Sequence, residues 1–556
     1  MKKEFFLKMK LKELKSIELK AIEFPEKVQT PDWVDNDKLS NRIFGAFCRI
    51  NPELPCMEDK RFIKNVFTCI KEAGGEDFTK NTDLVSFVKT DKEIQKWRNW
   101  YQVEKNKKAE YRKVHKDEIK KENDERKIKY GKALVDGIEE PLQSWIVEPE
   151  GIFFGRGDCP YTGMWKKAIN EEDVIVNTNS KKLPIVIRNK TEFNSKNYKI
   201  EWNPNNHSCA TYKILIGIPN EAGEIYKIKH TSYKNIMFGN TSSIKKEGQS
   251  KKYEAASVLG DYYEKILKQI DSDFAKNKNL DTATAVYLLF QKGIRIGQKN
   301  PTNNGTKGLL SLEWNKDVKR KDDKIKFDFY GKDSVHDISF IETNYAEKIE
   351  KVWSKSVKLN TTKIEIENYI SDIIPELKNI FTPKLARTAV AAYTTKKALA
   401  EMVDKYKIKK ESSIAIKKIA FDEAVMQVAR RLNHQRGVNK IAEEKRRLKF
   451  KESENKLKER ELKVEEQIAK KEERIKTLKD KNKIKELKEA IKISKEKIKQ
   501  AELKLESKER NQNFTASTAL NAYIDSSIIF DWCEKFDMPI EKIYSKSQLE
   551  KFFKKD

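Results

Sequence analysis

The sequence predicts a multidomain α+β protein: a helical and β-rich N-terminal half, a mostly α-helical core, a long charged antiparallel helical hairpin and a small helical C-terminal piece. Three observations carry this. At 556 residues the chain is long enough for three or four domains with sizeable cores. Between about 131 and 238, short apolar or alternating runs are separated by Asn, Gly and Pro punctuation, the pattern of strands and hairpins. From about 438 to 510 charged residues form the majority, and the larger apolar residues recur at helical 3/4 spacing.

Each segment follows in order. Residues 1–35 close on FPEKVQTPDW, whose prolines favour an extended path. From 36 to 130 the pattern is helical; DKRFIKNVFTCIKEAG places Phe62, Ile63, Val66, Phe67 and Ile70 on one face and stops at Gly74-Gly75. A second stretch carries Trp97, Trp100 and Tyr101 into a run of mixed charge, which reads as a solvated helix face or a basic surface. LPIVIRN, YKIEW, TYKILIGI and GEIYKIKH supply the strands of 131–238, preceded by GIFFGRGDCPYTG. The two glycines around Arg156 would let backbone approach a phosphate, although a lone GRG is also an ordinary tight turn.

Residues 239–437 form the core. DTATAVYLLFQKGIRIG is a helix leading to Arg295, NPTNNGTKG is a loop, and KIKFDFYGKDSVHDISF is a β-hairpin turning at Gly331 to Ser334 with Lys332 at its tip. Segments from Glu365 onward are helical, including TPKLARTAVAAYTTKKALAEMV around Arg387. In 438–510, Val464, Ile468, Ile475 and Leu478 on one arm and Ile484, Leu487, Ile491, Ile498 and Leu505 on the other predict a coiled hairpin broken at Lys479 to Asn482. Each arm spans about 50 Å at roughly 1.5 Å per residue. Residues 511–556 read as a compact helical domain with Pro539 at its break.

A formal net charge of +28 points to a polyanionic partner. No run of about 18 apolar residues exists for a membrane span, and MKKEFFLKMKLKELK lacks the apolar centre of a signal peptide. Cys48, Cys56, Cys69, Cys159, Cys209 and Cys533 fall in no metal-ligand spacing, which fits reduced thiols in an intracellular protein without structural zinc.

Among 19 tyrosines, Tyr523 in LNAYIDSS stands out for what precedes it: Arg295 in GIRIGQKN, Lys332 in FDFYGKDS, Lys384 and Arg387 in TPKLARTA, and His434 in RLNHQRG. Two arginines would clamp a phosphoryl group bidentately, and a histidine would add a donor. A phenol of pKa about 10 attacks phosphorus only where such a field favours phenolate. A lysine near the arginines, its pKa pushed down, would protonate the leaving hydroxylate. Apart from this constellation, composition and the hairpin alone also fit a non-catalytic, coiled-coil DNA-binding scaffold.

With EPEGIFFGRGDCPYTGMWKK, SSIKKEGQSKKYEAA, KLARTA, LNHQRG and YIDSSIIFDWCEKFDMPIEKIYSKSQLEKF in the same order, the chain from about Leu19 to Lys551 resembles eukaryotic-type DNA topoisomerase I, the type IB family. The resemblance implies a bilobed DNA clamp. Residues 1–35 with 131–238 would be a β-rich cap subdomain, 36–130 a helical one, 239–437 a tyrosine recombinase-like catalytic core, 438–510 a coiled-coil linker and 511–556 the domain carrying the nucleophile. It implies Tyr523 as the group that takes the 3′ phosphate, Arg295 and Arg387 on the scissile phosphate, His434 on a nonbridging oxygen and Lys332 as general acid. Arg156, Lys245, Asp333, Lys384 and Thr518 would contact DNA. The expected partner is supercoiled duplex DNA, bound by a monomer, with no ATP, no essential magnesium, no metal and no membrane, in the nucleus. A tyrosine recombinase shares the chemistry; the hairpin and β-rich cap argue against it. Where the family has asparagine before the tyrosine, this chain has Ala522, which implies weak response to camptothecin-type inhibitors.

Overall fold

The computed structural model describes residues 13–155, 159–299, 306–332, 335–378, 380–435, 440–546 and 548–549. They divide into two compact units, one N-terminal to Lys252 and one from Lys252 onward.

The N-terminal unit contains helices α1 (Leu39–Cys48), α2 (Lys60–Glu72), α3 (Leu84–Thr90), α4 (Lys92–Val114) and α5 (Lys116–Tyr130). The Asp59 carboxylate caps α2 by accepting from the Arg61 and Phe62 amides. Phe62, Ile63, Val66, Phe67 and Ile70 are all buried, and Gly74, at φ +79°, turns the chain out of the helix. The strands are β1 (Ile17–Leu19), β2 (Ala21–Glu23), β3 (Lys132–Val135), β4 (Ile138–Pro141), β5 (Gly151–Ile152) and β6 (Trp165–Lys166). They continue as β7 (Val174–Asn177), β8 (Ile185–Arg188), β9 (Thr191–Phe193), β10 (Lys199–Glu201), β11 (Ser208–Pro219) and β12 (Ile225–Met237). The largest sheet runs β10-β7-β11-β6-β5, with β12 paired antiparallel to β11. The N-terminal β1 and β2 join two smaller sheets, β1-β3-β4 and β2-β8-β9.

The second unit opens from α6 (Ser243–Asp261), within which the boundary falls, into α7 (Tyr263–Lys276) and α8 (Leu280–Lys292). A three-stranded antiparallel sheet follows: β13 (Val318–Lys321), β14 (Lys324–Tyr330) and β15 (His336–Glu342). Helices α9 (Ala346–Trp353), α10 (Lys363–Ile373), α11 (Pro383–Tyr406) and α12 (Ile414–Arg431) complete the core. A capping box between Thr362 and Glu365 starts α10, and Pro383 occupies the first position of α11, where no amide donor is missed.

The charged run folds as α13 (Lys440–Thr477) and α14 (Lys481–Arg510), with Asp480 capping the second helix through the Asn482 and Lys483 amides. The helices lie against each other, and Lys495 faces Glu472 at 3.8 Å. Their apolar seam is half-buried except for Ile491, which is buried, as expected of a two-helix contact with no third layer over it. At the foot, Arg510 pairs with Glu423, and Arg430 Nη2 donates to Asn511 Oδ1 at 2.6 Å. The Thr515 amide donates to the His434 carbonyl at 3.0 Å, and Gln435 bridges Phe514.

The chain ends with α15 (Ala516–Ala522) and α16 (Ser526–Phe536). Ile524, Ile529, Trp532, Phe536 and Tyr544 bury themselves in the same cluster as Leu289, Val390 and Phe421. The C-terminal piece therefore shares the core of the second unit instead of building its own. All six cysteines are free. Among the described residues no helix is long and apolar enough to cross a membrane.

Candidate active site

Glycine geometry positions the first arginine. Helix α8 stops at Gly293, at φ +63°, where a Cβ would lie 2.5 Å from Leu432 Cδ2. Two residues on, Arg295 sits in a segment held by amides of the short 3-10 turn Leu309–Ser311: Leu309 donates to the Arg295 carbonyl at 2.8 Å and Leu310 to that of Ile296 at 2.9 Å. This ladder closes because Gly297, at φ +67°, and Gly308 meet backbone to backbone; a Cβ on Gly308 would come within 2.5 Å of Gly297 Cα.

Arg387, on α11, is 7 % exposed. Its Nη1 donates to the Gly293 carbonyl and its Nη2 to that of Leu432. These carbonyls, left free at two helix ends, fix the guanidinium with its carbon 5.2 Å from the centroid of the Tyr523 ring. Burial and the like charge of Arg295 lower its pKa to about 10, while Tyr523 holds it up.

Tyr523 is the C-cap of α15. Burial alone would raise its phenol, yet the charges of Arg387 and Arg295, with hydrogen bonds from both, hold it below the ordinary value. Against the ring's other side lies His434, with centroids 5.1 Å apart and planes at 37°. His434 is 5 % exposed, and neither Nδ1 nor Nε2 has a hydrogen-bond partner among the described residues. Burial, then the charges of Arg387 and Arg295, lower its pKa to about 3, so the imidazole is neutral. A buried ring with both nitrogens unpaired is costly unless something else fills the place.

One cavity of about 140 Å³ is lined by Arg295, Lys332, Arg387, His434 and Thr518, and the Tyr523 ring lies against two of these, Arg387 and His434. Lys332 reaches it from the tip of the β14–β15 hairpin and is exposed; Thr518 lies on α15, also exposed. Lys384, in the first turn of α11, is exposed and does not line the cavity. Lys245, in the first turn of α6, belongs to the N-terminal unit, its amide bonded to Ser242 Oγ at 3.0 Å. Arg156 and Asp333 lie outside the described residues, as do the loop residues Asp158 and 300–305.

Sequence reasoning missed three groups here. Lys307 lines the cavity, but Asp317 at 2.6 Å and Glu313 at 3.5 Å hold its ammonium. Lys252 donates to the carbonyl of Ala522 at 2.9 Å, anchoring the peptide just before the tyrosine to α6. Lys292 and Asp337, also in the lining, form a buried pair. All of them sit in stretches quoted above, Lys307 in NPTNNGTKG, Lys252 in SSIKKEGQSKKYEAA, Lys292 in DTATAVYLLFQKGIRIG and Asp337 in KIKFDFYGKDSVHDISF, but nothing in those stretches marks them as partners. The chemistry available is that of an anion site: two guanidiniums and an unpaired imidazole facing a phenol biased toward phenolate.

Three models of one family match consecutive parts of the chain: the DNA binding fragment of eukaryotic DNA topoisomerase I over residues 37–199, its catalytic core over 241–470, and the C-terminal topoisomerase domain over 495–553. DNA topoisomerase 1 of Caenorhabditis elegans is 27% identical over 464 residues, covering 78% of this chain and 52% of the nematode protein. The Drosophila melanogaster protein of that name is 28% identical over 82% of this chain and 44% of its own length. DNA topoisomerase I, mitochondrial, of Homo sapiens is 26% identical over 80% of this chain and 73% of the human protein. The chain thus spans about half the length of the nematode and fly proteins.

Proposed function

Because the chain belongs to the eukaryotic DNA topoisomerase I family, we propose that it relaxes supercoiled duplex DNA by cutting, rotating and resealing one strand. The Tyr523 phenol gives up its proton to water, its Oη forms a bond to the scissile phosphorus, and the bond from phosphorus to the 5′ oxygen breaks. The electron pair leaves on that oxygen, which takes a proton from Lys332. Arg295 and Arg387 hold the nonbridging oxygens, and the neutral His434 donates one further bond. Each such donor is worth roughly 3 to 4 kcal/mol in the transition state. Religation is the reverse, with the 5′ hydroxyl attacking the phosphotyrosine. The phosphodiester energy is stored in the covalent link, so neither ATP nor an essential magnesium ion enters.

The observation that carries this reading is the pairing of His434's two unpartnered ring nitrogens with a phenol that two guanidiniums hold below its ordinary pKa. A phosphodiester in the cavity would accept from the protonated ring nitrogen of His434 and sit against the same two guanidiniums that favour the phenolate. In the wider protein, residues 1–35 and 131–238 together with 36–130 would form the cap of a DNA clamp. Residues 239–437 would form the catalytic core, 438–510 the linker beside downstream DNA, and 511–556 the carrier of the nucleophile. Arg156, Lys245, Asp333, Lys384 and Thr518 would add DNA contacts, in a monomer acting in the nucleus. A basic chain of this kind should bind with steep salt dependence.

The test is relaxation of supercoiled plasmid in EDTA without ATP, comparing the parent protein with Tyr523→Phe. Relaxation of positive and negative supercoils by the parent alone supports the assignment. Equal relaxation by both proteins removes Tyr523 from its role, and DNA binding without relaxation by either favours a scaffold.

A further inference from the structure

Beside the arginines lies an ion pair that the reaction scheme does not use. Lys292, the last residue of α8, places Nζ 3.5 Å from Oδ1 of Asp337 on β15, and the two side chains are 9% and 7% exposed. The Lys292 ammonium lies 5.5 Å from the centroid of the Phe327 ring, and Asp337 also accepts from Ser339 Oγ. The pair lines the same cavity as Arg295 and Arg387. Lys292 sits at a helix C-terminus, where a cation is favoured.

The carboxylate creates a problem for the site. Asp337 lies close enough to act on Arg387, and a buried, uncompensated negative charge would draw on the guanidiniums that the phenolate and phosphate need. Burial and Arg387 lower the pKa of Lys292, while Asp337 raises it. The groups acting on the Tyr523 phenol are Arg387 from α11, Arg295 following α8, His434 following α12, and Tyr253 from α6. Asp525, capping α16, acts on Tyr253. Those acting on Lys292 are Asp337 and Arg387. Lys307 is held by its own two carboxylates, leaving Lys292 as the ammonium within 4 Å of Asp337 among the described residues.

We propose that Lys292 is a positioning residue: by holding the charge of Asp337 to itself, it leaves Arg295 and Arg387 free to act on Tyr523 and the scissile phosphate. The proposal rests on the reading of Tyr523 as nucleophile. It deepens that reading by assigning a group that touches neither phenol nor DNA.

Two measurements test it. The tyrosinate absorbance of each protein, minus that of its Tyr523→Phe counterpart, gives the phenol's titration midpoint without any turnover; single-turnover cleavage of a nicked-release duplex gives the rate. Lys292→Met is expected to raise the midpoint by about one pH unit and slow cleavage about tenfold. Lys292→Arg should stay near the parent, and Lys292→Met with Asp337→Asn should recover most of both losses. An unchanged midpoint in Lys292→Met, or a double variant no better than the single one, overturns the proposal. Should Lys292→Met fail to fold, Asp337→Asn alone decides: a lowered midpoint supports it and an unchanged one overturns it. If the parent protein titrates as expected but cleaves nothing, the nucleophile assignment falls while the midpoints still judge the pair.

Discussion

Acidification should destabilise this protein through one imidazole, and the size of the effect follows from where His434 sits. Its pKa in the fold is about 3, against about 6.5 for an unfolded histidine. Between those values the unfolded chain binds the proton and the native site does not. The stabilisation is therefore complete above about pH 6.5 and is lost as pH falls toward about 3. At about pH 4.5 the linkage integral gives a loss of roughly 2 to 3 kcal/mol, on a scale where one pKa unit is about 1.4 kcal/mol. His434→Gln cannot titrate, so its stability should fall less than the parent's as pH drops through this window. Urea unfolding followed by tryptophan fluorescence at several pH values, parent against variant, measures the difference directly, since the other titrating groups are common to both. Proton NMR adds an independent check, because the His434 ring signal, identified by its absence in the variant, should not shift above about pH 4. Parallel stability curves, or a His434 signal titrating near the ordinary value, would refute the reasoning. Bound DNA should act the other way, because a phosphate against the ring favours the imidazolium.

Three further outcomes are expected. Removing the guanidinium in Arg387→Met takes away a charge 5.2 Å from the Tyr523 ring. At an effective dielectric of about 20 this is worth roughly 3 kcal/mol, or about two pKa units on the phenol. Burial then acts less opposed, so the phenol should titrate above its ordinary value and single-turnover cleavage should fall about 10²- to 10³-fold; a rate within a few-fold of the parent would contradict this. Gly308→Ala drives a methyl into the Gly297 backbone and against the Arg295 carbonyl, 2.9 Å from the new Cβ. It should cost roughly 1 to 3 kcal/mol, seen as a lower melting temperature together with slower cleavage. Ala522→Asn installs the residue that the family resemblance leads one to expect before the tyrosine, and its side chain would project from an exposed position while the carbonyl stays bound to Lys252. The variant should accumulate more covalent complex with a camptothecin-type inhibitor than the parent, as read on a denaturing gel; equal trapping would refute the expectation drawn from Ala522.

Local patterns were legible where chemistry acts locally. Phe62, Ile63, Val66, Phe67 and Ile70 were assigned to one helix face by spacing, and all are buried. The GKDS turn was read as a hairpin tip, and β14 and β15 pair on either side of it. Arg387 was placed in a helix rich in apolar residues, and it is almost wholly enclosed there. Long-range pairings were not legible. Lys292 and Asp337 meet only because α8 and β15 border the same cavity, and neither residue sits in a motif that distinguishes it from the many other charges. The contact between Gly297 and Gly308 is equally invisible in one dimension, since each glycine alone reads as loop punctuation. The C-terminal piece reads as a separate domain because a charged run sets it apart, but Ile524, Trp532 and Tyr544 complete the core of the larger unit. Lys384 shares a motif with Arg387, yet it is the second residue of α11, in the opening turn, and is exposed, whereas Arg387 one turn further in is enclosed.

The way the long helical pair is rooted bears on how such a chain can change over time. Both ends of the excursion meet at the Gln435 to Phe514 bridge and the Thr515 to His434 hydrogen bond, and Arg510 on Glu423 and Gln500 on Ser413 tie the near turns to the core, so the part beyond Gln500 is, to the rest of the fold, a closed loop. Closing a loop twice as long costs only about 0.6 kcal/mol more, and added or deleted turns move the far tip while the two anchored ends keep their spacing. Arm length is then nearly free to drift, whereas the few residues at the root are not. Homologous arms should differ widely in length and composition around an almost invariant base.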